Sequence, residues 1–297
     1  MPSLLSRLAP LVISLRGSKR SFSSAARTLA RVQQLREHPK PFAPSARLVR
    51  THQVSRRDVD DWPIYTVAAR DVAPTRHVVY LHGGCYVYQI APTHWAFIGK
   101  LADEARVQVT VPLMSLAPDG TASSIIPRIA EMVQALVAEV GADNVSLVGD
   151  SSGGGMALAV AMAVRDLGSP PLHATVLISP WLDISGTDPR LAEIAPSDPW
   201  LAVPGTRAAG ALYRAELPES DWRVSPIHGS LAGLGPVTVF TGTRDILNAD
   251  AHRLLPLAAA ADLALDFHEG KEMIHNYPIL PMPEGDAARA VIVAAVR

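Results

Sequence analysis

The chain has 297 residues, of which 48% are hydrophobic, and its 27 basic and 28 acidic residues nearly cancel. Such a composition predicts a globular protein with a large core, and the balanced charge gives no indication of a nucleic-acid partner. The single cysteine, Cys85, has no partner for an internal disulfide, which favours a reducing, cytoplasmic location.

Residues 1–45 form a basic arm, because seven basic side chains precede the first acidic residue, Glu37. The apolar run at residues 8–15 contains Pro10 and is too short to span a bilayer, and no signal-peptide cleavage site follows it. A segment without acidic residues before Glu37 suits a transit peptide, peripheral contact with an anionic membrane surface, or a helix that covers the mouth of an active site. We favour the third interpretation. The seven residues are Arg7, Arg16, Lys19, Arg20, Arg27, Arg31 and Arg36.

After the arm, the sequence predicts a sheet. Runs at residues 47–54 and 62–68, separated by a charged turn, predict two antiparallel strands. From residue 77 onward, short β-branched runs alternate with longer helical ones, which indicates a mostly parallel sheet flanked by helices. The predicted strands cover residues 77–81, 107–111, 145–148, 175–179, 237–241 and 263–268, and the predicted helices cover residues 94–104, 124–140, 152–167, 249–261 and 285–296.

One interval interrupts this alternation. Residues 184–235 follow the sixth predicted strand of the sheet region and combine six prolines with several large apolar side chains. The interval is too long for a plain loop, and its apolar residues need a surface to cover. We therefore predict an inserted cap or lid at 184–235, completed by the arm at 1–45, over a catalytic domain formed by residues 46–183 and 236–297.

The strongest chemical signal is the segment Gly-Asp-Ser-Ser-Gly-Gly-Gly at residues 149–155, which lies between a strand and an apolar helix. A serine in a sharp turn with small residues two positions away on either side is typical of a nucleophile elbow. The helix N-terminus adds backbone amides beside the serine. A glycine-rich phosphate loop is the alternative, but such a loop would carry a lysine in the turn, and none is present. The pattern predicts Ser151 as the nucleophile.

A second motif, His-Gly-Gly-Cys-Tyr at residues 82–86, follows the strand at residues 77–81. Consecutive glycines allow backbone N–H groups to face a cavity, so Gly83 and Gly84, together with Ser152, are predicted to form the oxyanion hole. We expect His82 to fix the loop. Cys85 as an alternative nucleophile is disfavoured, because the sequence implies no base beside it.

The acid and the base should follow the serine in that order, each after a later strand. Asp245 follows the strand at residues 237–241, and His275 follows the strand at residues 263–268. The competing acids either adjoin the serine or fall within a helix or strand, and the competing histidines precede a strand or lie inside an element. They are Asp150, Asp250, Asp262 and Asp266 among the acids, and His228, His252 and His268 among the histidines.

With these motifs, the chain resembles the hormone-sensitive lipase family of α/β-hydrolases from about residue 45 to residue 297. The segments Leu-Ala-Pro at 116–118 and Ser-Pro-Trp-Leu-Asp at 179–183 are similar to that family as well. Two positions depart from it: Cys85 stands where a third glycine or alanine is usual, and Gly155 where asparagine is frequent. The resemblance implies esterase or lipase activity, usually on shorter acyl esters, without a metal or cofactor.

The sequence thus predicts an α/β-hydrolase that cleaves small-molecule carboxylic esters of short to medium acyl length. Ser151 would form an acyl intermediate, His275 would act as general base and then general acid, and Asp245 would hold the histidine tautomer. We expect the rate to fall in acid near the ordinary histidine pKa of about 6.5. Three alternatives stay open: a lipase acting at lipid interfaces, an amidase with the same triad, and a ligand-binding protein of the same fold without activity.

Overall fold

The computed structural model describes residues 2–15, 17–71 and 73–297, so Arg16 of the basic arm lies outside the described residues. In these ranges, eight strands form one sheet, and eleven α-helices accompany it. The strands are β1 His52–Val59, β2 Trp62–Ala69, β3 His77–Leu81, β4 Gln108–Pro112, β5 Val145–Asp150, β6 Ala174–Ile178, β7 Val237–Arg244 and β8 Leu265–Ile274. The helices are α1 Leu4–Leu15, α2 Ser18–Phe22, α3 Ala25–Glu37, α4 Ala46–Thr51, α5 Pro92–Ala105, α6 Ala122–Val140, α7 Ser152–Asp166, α8 Arg190–Ile194, α9 Val203–Arg214, α10 Asn248–Ala260 and α11 Pro283–Val296.

The sheet is mostly parallel, with the strand order β1-β2-β4-β3-β5-β6-β7-β8. Strand β2 runs antiparallel to both β1 and β4, and the other neighbouring pairs are parallel. Strands β3, β5 and β6 are almost entirely buried, as expected for a parallel sheet covered on both faces. The predicted architecture is therefore confirmed.

Apolar side chains of the strands enter two cores, one on each face of the sheet. On β3, Val79 and Leu81 join the core that includes residues of α6, α7 and α10, whereas Val78 and Tyr80 join the core that includes residues of α5 and α11. All four side chains are fully buried. Close packing on both faces fixes the strand ends, and with them the loops that carry chemical groups.

The first predicted strand, at residues 47–54, is wrong over residues 47–51. Residues 47–51 belong to helix α4, because the side chain of Ser45 accepts a hydrogen bond from the N–H of Leu48 and so caps the helix. Strand β1 then runs from His52 through the segment expected to be a turn, and the chain reverses at Asp60 and Asp61. The antiparallel pairing of the first two strands is nevertheless as predicted.

The interval between β6 and β7 contains helices α8 and α9, and it contacts the basic arm directly. Helix α9 packs against α2 and α3, with Gly205 so close to Phe22 that a larger side chain would collide with its backbone. The Nζ of Lys19 donates hydrogen bonds to the carbonyl oxygens of Ala195 and Asp198, both at 2.6 Å. The arm and the interval are thus joined through packing and through polar contacts. Among the described helices, none is long and apolar enough to cross a membrane.

Candidate active site

Ser151 lies in a sharp turn between β5 and α7. Its backbone has φ 56° and ψ −123°, a strained conformation for a residue with a side chain. The turn is held because the N–H of Ser151 donates to the carbonyl of Ile178 at 2.8 Å, on the neighbouring strand. A side chain at Gly149 would strike the backbone of Gly153, and one at Gly153 would strike the carbonyl of Leu81. Only glycine therefore allows β5, α7 and the end of β3 to approach this closely.

Asp245 and His275 form a buried hydrogen-bonded pair at the ends of β7 and β8. Nδ1 of His275 donates to Oδ2 of Asp245 at 2.8 Å, and the other carboxylate oxygen accepts the N–H of Leu247 at 2.9 Å. His275 is 3% exposed and Asp245 is 0% exposed, so water does not compete for this bond. Because Nδ1 keeps its proton and donates it in the hydrogen bond to Asp245, neutral His275 has Nε2 free to accept a proton.

The pKa of His275 is raised above its ordinary value. Burial by itself lowers the pKa, but the charge and hydrogen bond of Asp245, with smaller contributions from the charges of Asp198 and Asp150, outweigh burial. The expectation of an ordinary histidine pKa near 6.5 is therefore corrected upward. Three carboxylates around one imidazole favour the imidazolium that forms when the histidine takes up a proton.

Asp198, from the interval between β6 and β7, is an acidic residue that sequence reasoning missed. It is 1% exposed, and its carboxylate accepts the N–H groups of Trp200, Leu201 and Ile246, the residue that follows Asp245. Burial and repulsion by Asp245 raise the pKa of Asp198 to about 6. The bond to Ile246 ties the inserted interval to the loop that carries the acid of the pair.

Asp150, dismissed as a candidate acid because it adjoins Ser151, is the buried centre of a hydrogen-bond network. Its carboxylate accepts the hydroxyl of Tyr80 at 2.6 Å, the N–H of Gly83 at 3.0 Å, the amide of Asn276 at 2.7 Å and an N–H of His94 at 3.2 Å. Burial raises the pKa of Asp150, but the charge and hydrogen bond of His94, with the hydrogen bonds of Tyr80 and Gly83, outweigh burial and lower the pKa to about 2. Asp150 therefore stays charged and holds together β3, the glycine loop and the loop after His275.

One of the three predicted oxyanion donors, Gly83, already has a hydrogen-bond partner in the structure. Because the N–H of Gly83 is bonded to Asp150, Gly83 does not have a free donor, and its predicted place in the oxyanion hole is corrected. The described backbone hydrogen bonds include none from the N–H of Gly84, Cys85 or Ser152, and the first amides of a helix such as α7 have no partner within it. Gly84 is held in place because its carbonyl accepts the N–H of Tyr88 at 2.8 Å.

His82 and Cys85 were expected to fix the loop and to be no nucleophile, respectively, and their surroundings agree with both expectations. Nδ1 of His82 contacts the carbonyl oxygen of Gly83 at 2.7 Å, so the ring fixes the loop as predicted. Burial, together with the neighbouring His94, lowers the pKa of His82 to about 4, which keeps it neutral. Burial raises the pKa of the Cys85 thiol to about 12, so it carries no thiolate at neutral pH. Cys85 also has φ 51°, a conformation that favours the glycine for which it substitutes.

Ser151 and His275 line one cavity of about 580 Å³. The described hydrogen bonds do not include one between these two side chains, and what the structure shows is that both line the same cavity. Trp200 stands edge-on to the imidazole, with ring centroids 5.6 Å apart and planes at 86°. The wall is mainly apolar, and both the arm and the interval 184–235 contribute to it. These contributions include Phe22, Arg31, Leu35 and Phe42 from the arm and Trp200 and Leu201 from the interval.

The described residues contain no group of three or more His, Cys, Asp or Glu side chains arranged to hold a metal ion. The chemical groups gathered at the cavity are instead a strained serine, a histidine bonded to a carboxylate, and unbonded backbone amides. This set suits acyl transfer to a serine.

The sheet, the elbow and the Asp–His pair together define a hydrolase of the α/β type. The chain belongs to the α/β-hydrolase fold family, whose sequence model matches residues 78–279. It is similar to an acetyl-hydrolase from Streptomyces hygroscopicus, at 31% identity over 230 residues, which cover 74% of each chain. A triacylglycerol lipase from Mycobacterium tuberculosis strain H37Rv is 32% identical over 205 residues, which cover 69% of this chain but 42% of the lipase, so this chain spans less than half of that relative.

Solved structures give the same assignment. An esterase from the bacterial hormone-sensitive lipase family has a TM-score of 0.78 and 26% sequence identity, over 92% of this chain and 97% of that one. The resemblance to this family, predicted from the two glycine motifs, is thereby confirmed.

Proposed function

We propose that this protein is a serine carboxylesterase that hydrolyses small-molecule esters of short to medium acyl length. The observation that carries the proposal is the buried 2.8 Å hydrogen bond between His275 and Asp245. His275 lines the same cavity as Ser151, which lies in a strained elbow. The names of the relatives, an acetyl-hydrolase and a triacylglycerol lipase, agree with ester hydrolysis. The single cysteine supports a cytoplasmic location.

In the proposed mechanism, Oγ of Ser151 attacks the ester carbonyl while Nε2 of His275 takes up the hydroxyl proton. The carbonyl oxygen becomes negative and is bound by the N–H groups of Ser152 and Gly84, with that of Cys85 as a third donor in the same loop. His275 then gives its proton to the departing alcohol, which leaves an acyl group on Ser151. Water, activated by the same histidine, releases the acid and restores the serine.

We further propose that residues 1–45 and 184–235 form a cap over the catalytic domain of residues 46–183 and 236–297. Support comes from the cavity wall, to which the arm gives Phe22 and the interval gives Leu201. The bonds from Lys19 to two carbonyl oxygens of the interval join the two parts of the cap. A cap of this kind excludes water and sets the shape of the acyl-binding space.

Acyl length is the direct test of this proposal. With a cavity of about 580 Å³, we expect kcat/KM for monomeric aryl esters to rise from acetate to a medium chain. Beyond the length that the cavity accepts, kcat/KM should fall at least about tenfold. The measurement is a series of p-nitrophenyl esters at one pH, with matched anilides to compare ester and amide cleavage, and with Ser151→Ala as the background. Faster cleavage of anilides would instead indicate an amidase, and activity that appears only on emulsified long-chain esters would indicate an interfacial lipase.

The raised pKa of His275 predicts the pH dependence. Catalysis needs the neutral imidazole, so the rate is full above the pKa and falls as the pH drops through it. The charge and hydrogen bond of Asp245 raise the pKa of His275 by more than burial lowers it, so the midpoint of the acid limb should lie above pH 6.5. The measurement is kcat/KM for an aryl ester from about pH 5 to about pH 8, with chemistry rate-limiting. A flat profile, or a midpoint below 6.5, would contradict the assigned base.

A further inference from the structure

Helix α1 carries a continuous apolar stripe on its outer side. Six large hydrophobic residues recur along it at spacings of one, three and four, which places them on one face of a helix with 3.6 residues per turn. The exposed fraction of these residues runs from 45% to 79%. They are Leu4, Leu5, Leu8, Leu11, Val12 and Leu15, and we refer to them as the leucine stripe.

The opposite face of α1 is the one that holds the helix against the fold. Ser6, Pro10 and Ile13 are its buried residues. Nearby, the N–H and hydroxyl of Ser3 both donate to the carboxylate of Glu284, at 2.5 and 2.8 Å, where α11 begins. The helix is therefore docked by a small, partly polar face, and its most hydrophobic face points to solvent.

Such an arrangement is unusual for a globular surface. Other exposed large hydrophobic residues of the described chain, such as Leu167 and Leu257, are scattered over separate elements. Single exposed leucines need no explanation, but a contiguous stripe of six marks a site of interaction.

The basic residues around α1 indicate what the leucine stripe binds. Arg7 and Arg20 are exposed on and beside α1, and no acidic residue occurs in the sequence before Glu37. Glu284, the acid beside the start of the helix, is already bonded to Ser3 and Ser6. A hydrophobic stripe in a basic, acid-free segment matches an anionic lipid surface. A second copy of the chain would bring the same basic residues against each other, which disfavours self-association through this face.

We propose that α1 is an interfacial helix by which the protein docks on an anionic lipid bilayer, with the leucine stripe among the acyl chains and Arg7 and Arg20 at the headgroups. The helix has 12 residues, or about 18 Å, against a hydrocarbon core of about 30 Å, so it lies in the membrane plane. Helix α2 follows immediately, and its Phe22 lines the catalytic cavity. Docking would thus bring the arm side of the cavity towards the lipid, where hydrophobic esters concentrate.

Vesicle flotation with the full chain tests this proposal. We expect binding to vesicles of phosphatidylcholine with phosphatidylglycerol, and much weaker binding to phosphatidylcholine alone. The double variant Leu8→Asp, Leu11→Asp should lose on the order of tenfold or more in the partition coefficient for each leucine. The double variant Arg7→Glu, Arg20→Glu should lose the preference for anionic vesicles.

The control is Leu257→Asp, which places the same charge at an exposed leucine of α10 and should bind vesicles like the wild type. Unchanged thermal unfolding of each variant excludes misfolding as the cause. Ser151→Ala should also bind like the wild type, so the proposal stands or fails independently of the esterase chemistry. The proposal is overturned if the wild type does not float, if the leucine variants float like Leu257→Asp, or if sedimentation shows that the stripe instead holds a dimer.

Discussion

Ser151→Ala is expected to lower the turnover of an aryl ester by on the order of 10⁴ to 10⁶, with little change in the binding of the ester. The hydroxyl of Ser151 is the atom that forms the acyl bond in the proposed mechanism, and its removal leaves only the backbone amides to stabilise the transition state. The methyl group of alanine fits the elbow without a new contact, so the fold should be unaffected. Steady-state kcat and KM, with thermal unfolding as a check on folding, give the measurement.

The matched control for this variant is Cys85→Ser, at the other candidate nucleophile that lines the cavity. Because burial raises the pKa of its thiol to about 12, Cys85 is not expected to attack a substrate, and Cys85→Ser, which keeps the backbone N–H, should keep most of the activity. A fluorophosphonate should label the wild type and Cys85→Ser but not Ser151→Ala. Substantial hydrolysis by Ser151→Ala would refute the assignment, and absence of labelling in the wild type would favour a ligand-binding protein without activity.

The parts of the site that the sequence predicted depend on local geometry. The elbow needs glycine at positions 149 and 153 because strand and helix backbones touch there. Both glycines lie within a short run of the sequence, so the motif can be recognised without the structure. Asp245 and His275 could be located for a related reason: each follows a strand, and parallel strands end at one edge of a sheet. The same locality explains the error at residues 47–51, where one capping bond from Ser45 outweighed a strand-like composition.

What the sequence did not reveal depends on contacts between distant segments. The bond from Gly83 to Asp150 joins residues 67 positions apart, and it removes from the oxyanion hole a donor that the motif alone had placed there. Asp198 lies in the inserted interval, where no strand precedes it, yet folding brings its carboxylate to the N–H of Ile246. The pKa of His275 is likewise a property of three carboxylates from separate elements. The position of Asp150, between an apolar strand and the nucleophile, is the sequence signal that could have suggested its role.

Asp245→Asn is expected to reduce kcat by on the order of 10⁴ while leaving the fold intact, a magnitude known for the equivalent change in serine hydrolases with this triad. Oδ2 of Asp245 accepts the Nδ1 proton of His275, and an asparagine amide at that position would present a donor instead. The imidazole would then carry its proton on Nε2, where it cannot accept the proton of Ser151. Measurement of kcat at a pH well above the pKa of His275 separates this effect of the tautomer from simple protonation.

Asp198→Asn provides the comparison, since both carboxylates are buried and carry charge that acts on the same imidazole, and the hydrogen bond to Nδ1 of His275 comes from Asp245. Removal of the Asp198 charge takes away one of the contributions that raise the pKa of His275, so the acid limb should move to lower pH. At high pH, Asp198→Asn should lose less than about a hundredfold in kcat, because Nδ1 of His275 keeps its acceptor. Equal losses for the two variants would mean that the carboxylates act together and that the orienting role does not belong to Asp245 alone. A large loss confined to Asp245→Asn places the orienting bond between Asp245 and His275, with the charge of Asp198 as a smaller contribution to the raised pKa of the histidine.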